Sequence, residues 1–166
     1  MRQKIKRATI EDADKLRMMV LKSMDLANNK FVSDEQISAM KGYWSVENTK
    51  KYITTSGWNV FLAIENDEVK GTISFDTKEG VIFSPFIKNS KYFFDGDLGR
   101  HLLEFVEKFA KNNKHNKVSL ISLPITKDFF LNFGYEVVED LDLEFDGVKF
   151  PEFRLEKELI SKNKNF

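Results

Sequence analysis

Between a strand-like run, Val81–Lys88, and an amphipathic run, Arg100–Asn113, the chain reads Tyr92-Phe-Phe-Asp-Gly-Asp-Leu-Gly99. A glycine-bearing loop that opens a helix presents unpaired main-chain N–H groups and the positive end of the helix dipole. Such a place binds phosphate. A strand, Lys117–Ser122, and the segment Phe129-Phe-Leu-Asn-Phe-Gly-Tyr135 follow. This order predicts an α/β domain that is a candidate binder of a phosphorylated cofactor.

Other chemistries lack their residues. With no cysteine there is no thiolate nucleophile, disulfide framework or cysteine zinc site. Two histidines, His101 and His115, cannot build a metal cage alone, so no metal is expected. Lysine plus arginine number 26, as do aspartate plus glutamate, and this balance removes the electrostatic reason to expect a nucleic-acid or membrane partner. The lysines from Lys111 to Lys117 read as a solvated helix end favoured by the dipole. No apolar run approaches the roughly 20 residues that span a bilayer, and the opening Met-Arg-Gln-Lys-Ile-Lys lacks a signal-peptide core. The expected address is the cytoplasm. Sixteen phenylalanines are many for one domain. They read either as core and cross-strand pairs or as an aromatic pocket or dimer face.

The 166 residues suit one domain over 1–160, with a loose tail at 161–166. Ile5–Ala8 reads as a first strand. Thr9 with Asp12 makes a variant capping box before a helix whose Ala13, Leu16, Met19, Val20 and Met24 share a face. Ser33 with Gln36 caps a second helix, Asp34–Lys41, and Ser45 a third, Val46–Thr54, closed by Gly57. Trp58–Ile64 is a nearly continuous apolar run, the pattern of a central strand. Val69, Gly71, Ile73 and Phe75 alternate, which predicts cover on one face. Asn66-Asp67 and Asp146-Gly147 read as hairpin turns. A short helix, Thr126–Asn132, precedes a strand carrying Leu141, Leu143 and Phe145. In the last strand the apolar phase slips at Pro151, which predicts a β-bulge or an edge position there. The sum is an α/β (α+β) fold: a mixed, mostly antiparallel sheet of about seven strands with helices on both faces.

The chain resembles the GNAT superfamily of acetyl-CoA-dependent N-acetyltransferases along nearly its whole length. Ile5-Lys-Arg-Ala-Thr-Ile-Glu-Asp-Ala13 is similar to the family's opening I-R-x-A-T-x-E-D-A, and Phe61–Gly71 to its vAe-x-dg-x-ivG. Leu98-Gly-Arg-His-Leu-Leu103 and Phe129-Phe-Leu-Asn-Phe-Gly-Tyr-Glu136 resemble later blocks. The close, Asp146–Lys157, resembles a subgroup ending G-v-x-l-p-x-x-x-m-x-K. Two regions depart from the family, at three positions. Its pyrophosphate loop, Q/R-x-x-G-x-G/A, falls on Phe94–Gly99, so Phe94 replaces the basic or amide residue and Asp97 the first glycine. Asp97 then reads either as a plain helix cap that competes for the cradle or as the neighbour of a bound diphosphate. Phe130 stands where the family has the tyrosine that protonates the departing thiolate.

The resemblance implies an N-acetyltransferase acting on a small-molecule or peptide amine, by direct attack on acetyl-CoA in a ternary complex, with no metal. It also implies that the fourth strand splays from the fifth and that pantetheine pairs near Phe86 and Ile87. On the same resemblance, the amides of Asp95, Gly96, Asp97, Leu98, Gly99 and Arg100 seat the diphosphate and the Ile87 N–H holds the oxyanion. A thiol of pKa about 8.5 leaves without much help. An alkylammonium near pKa 10.4 is free base about once in 10³–10⁴ molecules at pH 7, a cost of roughly 4–5 kcal/mol. A general base is therefore needed, and the candidates are Asp76, Glu79 and Ser84, the serine by orienting a water. Asp76 and Glu79 also read as solvated turn residues, His101 as helix surface, and Tyr135 as core or acid. Tyr43 and Trp44 fall where the family closes its acceptor pocket. The alternative reading is an impaired GNAT-like acyl-CoA sensor or protein-interaction module, and a homodimer fits either.

Overall fold

A computed structural model describes residues 3–27 and 30–160; the tail expected at 161–166 lies outside the described residues. Strand β1 (Lys4–Arg7) leads through a 3-10 turn into α1 (Ala13–Asp25), followed by α2 (Asp34–Tyr43) and α3 (Val46–Thr54). The Asp12 carboxylate accepts from the Thr9 N–H at 2.9 Å and from Lys6 Nζ at 2.7 Å, fixing the entry to α1. Ser33 and Ser45 cap α2 and α3 by accepting from the N–H groups of Gln36 and Asn48. These caps are satisfied within one turn of chain, which is why the sequence announces them.

Strands β2 (Trp58–Glu65), β3 (Glu68–Asp76) and β4 (Val81–Ile87) form a meander. The rest is α4 (Gly96–Asn112), β5 (Lys117–Ser122), α5 (Pro124–Asn132), β6 (Glu136–Phe145) and β7 (Val148–Glu158). The seven strands lie in the order β1-β2-β3-β4-β5-β7-β6. Every neighbouring pair is antiparallel except β4–β5. Both predicted turns have the left-handed backbone that two-residue hairpins need, with φ of 50° and 59° at Asn66 and Asp67 and 51° and 75° at Asp146 and Gly147.

One core packs α4 and α5 on the sheet through Leu102, Leu103, Val106 and Phe130. The other packs α1 to α3 on the opposite face through Leu16, Val20, Trp44 and Tyr52. The apolar run of β2 divides between them, Phe61 and Ala63 facing one core and Val60 and Leu62 the other. Strand β3 differs from its expected one-sided cover. Opposite Ala63 and Ile64 the register shifts, so Lys70 is extra and Val69 joins the α1–α3 core while Ile73 and Phe75 join the α4 core. Thr72 and Ser74 are buried too, the first donating to the Phe61 carbonyl and the second sharing a hydroxyl contact with Tyr52. A satisfied hydroxyl can sit in a core, and this hides the burial from a polarity pattern.

Pro151 proves to be an edge residue without a bulge of its own. Strand β7 pairs with β5 only from Phe153 onward, so Pro151 has β6 alone as neighbour, through Asp142. The irregularity lies further along, on β6 between Val137 and Glu139, opposite Leu155 and Arg154. The phase slip has another cause: Phe150 and Glu152 face the cavity described below, while Leu155 faces the α4 core.

Candidate active site

Strands β4 and β5 pair at two positions only, Val81 with Ser119 and Ile82 with Leu120. Beyond them the strands part, as expected. Strand β4 also bulges: between Thr72 and Ser74 on β3, three steps of β4 match two, and Ser84 takes φ of 48°. Pro85 is the signal for this feature in the sequence, because a proline inside a strand has no N–H for the ladder. The bulge turns Ser84–Phe86 toward the gap.

A cavity of about 330 Å³ fills the gap. Met40, Tyr43 and Trp44 from the end of α2 wall one side, and Ser84, Pro85 and Phe86 from β4 another. Phe93, Ile121, Leu123 and Thr126 close it, and the β6–β7 hairpin adds Phe145, Phe150 and Glu152. Trp44 is fixed edge-on by Tyr43, Tyr52 and Phe86, with ring centroids at 5.2–5.8 Å. The Tyr52 hydroxyl, which contacts Ser74 and Ser84, is pushed well above its ordinary pKa by burial and stays protonated. It therefore anchors the bulge without titrating.

Glu152 is the only charged residue on the cavity wall among the described residues, and sequence reasoning passed over it. Burial raises its carboxyl above the usual range, and no hydrogen bond or ion pair among the described residues engages the side chain. The available signal was the phase slip at Pro151, which places Glu152 on the same face as Phe150.

Next to the cavity, the loop after Phe93 enters α4 at Gly96, four residues earlier than the sequence suggests. Asp95 is the N-cap, with extended backbone and no capping hydrogen bond from its side chain, and Gly96 supplies the turn with φ of 69°. The first amide bonded back into the chain is that of Gly99, to Asp95 O at 3.2 Å, so the amides of Gly96, Asp97 and Leu98 head the helix without helical partners. A side chain added at Gly96 would meet nothing within 4 Å. Asp97 is not the cap. Its side chain is 93% exposed and pairs at 3.8 Å with Arg100, which also donates to Glu104 at 3.2 Å. His101 sits exposed beside Arg100.

Several expected site residues stand elsewhere. Phe94 and Phe130 are both buried in the α4–α5 core, stacked with centroids 5.9 Å apart and planes 10° off parallel. Two of the three departures from the family pattern thus meet in one aromatic pair, and neither ring lines the cavity. Gly99 approaches the same cluster, its missing side chain leaving room for the Phe129 ring. The Ile87 N–H donates to Phe93 O at 2.5 Å, so it is not a free oxyanion donor, and the Ile87 carbonyl accepts from Ser90 N and Ser23 Oγ. Asp76 caps the β3–β4 turn by accepting from Lys78 N at 2.8 Å, and Glu79 is exposed in that turn. Neither lines the cavity, because that turn closes the end of the strands that remain paired. Tyr135 is buried and donates to Glu107 at 2.9 Å, a core role, with its hydroxyl pKa pushed far up by burial and by the Glu107 charge.

Comparison with known proteins agrees with this geometry. No curated protein matches the chain. The fold is similar to a GCN5-related N-acetyltransferase from Rhodopseudomonas palustris, at a TM-score of 0.84 and 16% identity over 95% of this chain and 96% of that one. It is also similar to the PaiA N-acetyltransferase of Thermoplasma acidophilum, solved in complex with coenzyme A, at 0.77 and 21% identity over 95% and 99% of the two chains. The aminoglycoside 6'-N-acetyltransferase of Enterococcus faecium matches at 0.67 and 14% identity, over 95% and 97%. At these identities the likeness shows the fold alone. The family model described as an acetyltransferase (GNAT) domain, however, matches residues 29–157, well over half of the sequence. The chain therefore belongs to the GNAT family of acetyltransferases.

Proposed function

We propose that the protein transfers the acetyl group of acetyl-CoA to a primary amine held in the cavity, by direct attack in a ternary complex. The observation that carries this reading is the parting of β4 and β5 around the cavity, beside a helix start whose first amides are unbonded. The amides of Gly96, Asp97 and Leu98 hold the diphosphate, and Arg100 offsets the Asp97 charge. The thioester reaches the cavity through the gap.

The free amine nitrogen adds to the thioester carbon to give a tetrahedral intermediate, whose collapse breaks the C–S bond and releases CoA as thiolate. One ammonium proton goes first to Glu152, directly or through a water held by Ser84. The second leaves nitrogen as the intermediate collapses and ends on the thiol. Glu152 suits the task because a carboxyl raised above its ordinary range is a stronger base. Asp76 and Glu79 stay candidates only for a relay reaching outside the cavity wall.

CoA thiol release across an amine panel, with the wild type and Asp97→Gly, tests the proposal. Removing an acidic group beside the diphosphate should tighten CoA binding by roughly two- to fivefold in low salt. Absence of release from every amine, joined to no CoA binding by calorimetry, would overturn it. The Phe94–Phe130 stack favours a second reading, an acyl-CoA sensor, because both polar family positions have become core. A rise in Tm with acetyl-CoA but no turnover would support the sensor.

A further inference from the structure

The cavity wall has an unusual balance of groups. Six aromatic rings, those of Tyr43, Trp44, Phe86, Phe93, Phe145 and Phe150, surround one carboxylate. No lysine, arginine or histidine lines it among the described residues. The other polar side chains there are few: Tyr43, Ser84 and Thr126, and the Thr126 hydroxyl is already shared with Ser122 at 2.8 Å.

An unpaired, half-buried carboxylate loses hydration without regaining a partner. No cation among the described residues pairs with Glu152: Arg154, two positions along β7, pairs with Glu139 at 3.2 Å, and Lys127 lies over the ring of the adjacent Phe153 at 4.3 Å. A ligand cation would supply the missing charge, and aromatic faces would attract it further. The same wall discriminates against other acceptors. A ligand carboxylate would find no cation and would face Glu152. A hydroxyl-rich ligand would bury groups that the rings cannot satisfy. The volume also sits at the low end of the roughly 300–1,000 Å³ of small-molecule sites.

Resting on the acetyl-transfer reading, we propose that the acceptor is a primary amine with one positive charge on an apolar body, an alkyl- or arylalkylammonium ion, with Glu152 as counter-ion to its ammonium group. The aromatic wall holds the body, and the carboxylate points the nitrogen toward the gap where the thioester arrives. Amino acids, with their carboxylate, and aminoglycosides, with many hydroxyls and charges, are rejected by the same surface.

The test has two arms on the full chain. In the first, binding of 2-phenylethylammonium is read by calorimetry and tryptophan fluorescence without acetyl-CoA, so it does not depend on turnover. Glu152→Gln should weaken binding at least tenfold, Glu152→Asp less, with the melting temperature of each variant as the folding control. In the second, kcat/KM with acetyl-CoA should be at least tenfold higher for 2-phenylethylamine and hexylamine than for kanamycin, spermidine or glycine. Glu152→Gln should erase that preference by raising KM for 2-phenylethylamine and hexylamine selectively, while the lost base lowers kcat for every amine alike. Equal binding by wild type and Glu152→Gln, or a preference for kanamycin, spermidine or glycine, overturns the proposal even if acetyl transfer is found. Glu152-dependent binding with no turnover of any amine retains the cavity assignment and removes the transferase reading.

Discussion

Phe130→Tyr would restore the tyrosine that the family pattern has at this position, and the structure gives it an unexpected outcome. The Phe130 ring is 1% exposed, stacked on Phe94 at 5.9 Å and edge-on to Tyr135 at 5.6 Å. An added hydroxyl therefore enters an apolar cluster and stays unpaired, at a cost of about 1–3 kcal/mol. In a domain of this size each kcal/mol moves Tm by about 2–4 °C, so a loss of roughly 2–12 °C is expected. Catalysis should gain little, because the thiolate leaves readily near neutral pH and the new hydroxyl faces the core; kcat should change less than about threefold. Changing Phe94→Gln as well should cost less than the two single changes added together, since the rings touch and each new polar group offers the other a partner. Thermal denaturation by circular dichroism and thiol-release kinetics on the four proteins measure both quantities. An unchanged Tm with a tenfold rise in kcat would refute the reasoning, since the ring would then have to face the thiol.

Glu107→Ala should be among the most damaging single changes outside the cavity. It strips Lys157 of a two-oxygen ion pair at 2.9 and 3.0 Å and Tyr135 of its acceptor, so a loss of about 2–4 kcal/mol is expected in urea unfolding. Gly71→Ala places a methyl 2.8 Å from Ile87 Cδ1, 3.0 Å from Leu102 Cδ1 and 3.2 Å from the Phe86 carbonyl, so a loss of about 1–3 kcal/mol should appear as a lower urea midpoint. Glu152 should make stability depend on pH in a definite direction. Its folded pKa lies above the unfolded one, so the native state holds the proton more readily and is penalised as pH rises through the folded value. Glu152→Gln should then melt higher than the wild type at about pH 7.5, with the gap closing toward about pH 4. A gap independent of pH would show that the carboxylate is not desolvated.

Much of the fold was legible because it is decided locally. Caps at Ser33 and Ser45 satisfy amides one turn away, and the hairpin turns at Asn66-Asp67 and Asp146-Gly147 need only a left-handed backbone. The apolar periods of α1 and β2 report which side is wetted. The family blocks added the placement of a splayed β4 and a helix-borne anion cradle, and the strand pairing agrees with that splay.

Tertiary structure decided the rest, because it depends on which surfaces face each other across long chain separations. Whether Asp97 fills the cradle is settled by its turning outward toward Arg100, not by its suitability as a cap. Phe94 and Phe130 lie 36 positions apart and become one stack only when α5 folds onto the start of α4. Glu152 reads in the sequence as one acid among many on an edge hairpin. Among the described residues it becomes the lone charge of an aromatic cavity because β7 packs against α2, a contact that Gln36 marks by donating to the Lys149 carbonyl 113 positions away. Local patterns show whether a residue sits in a helix, strand or turn; the environment that sets its chemistry comes from groups the folded chain brings to it.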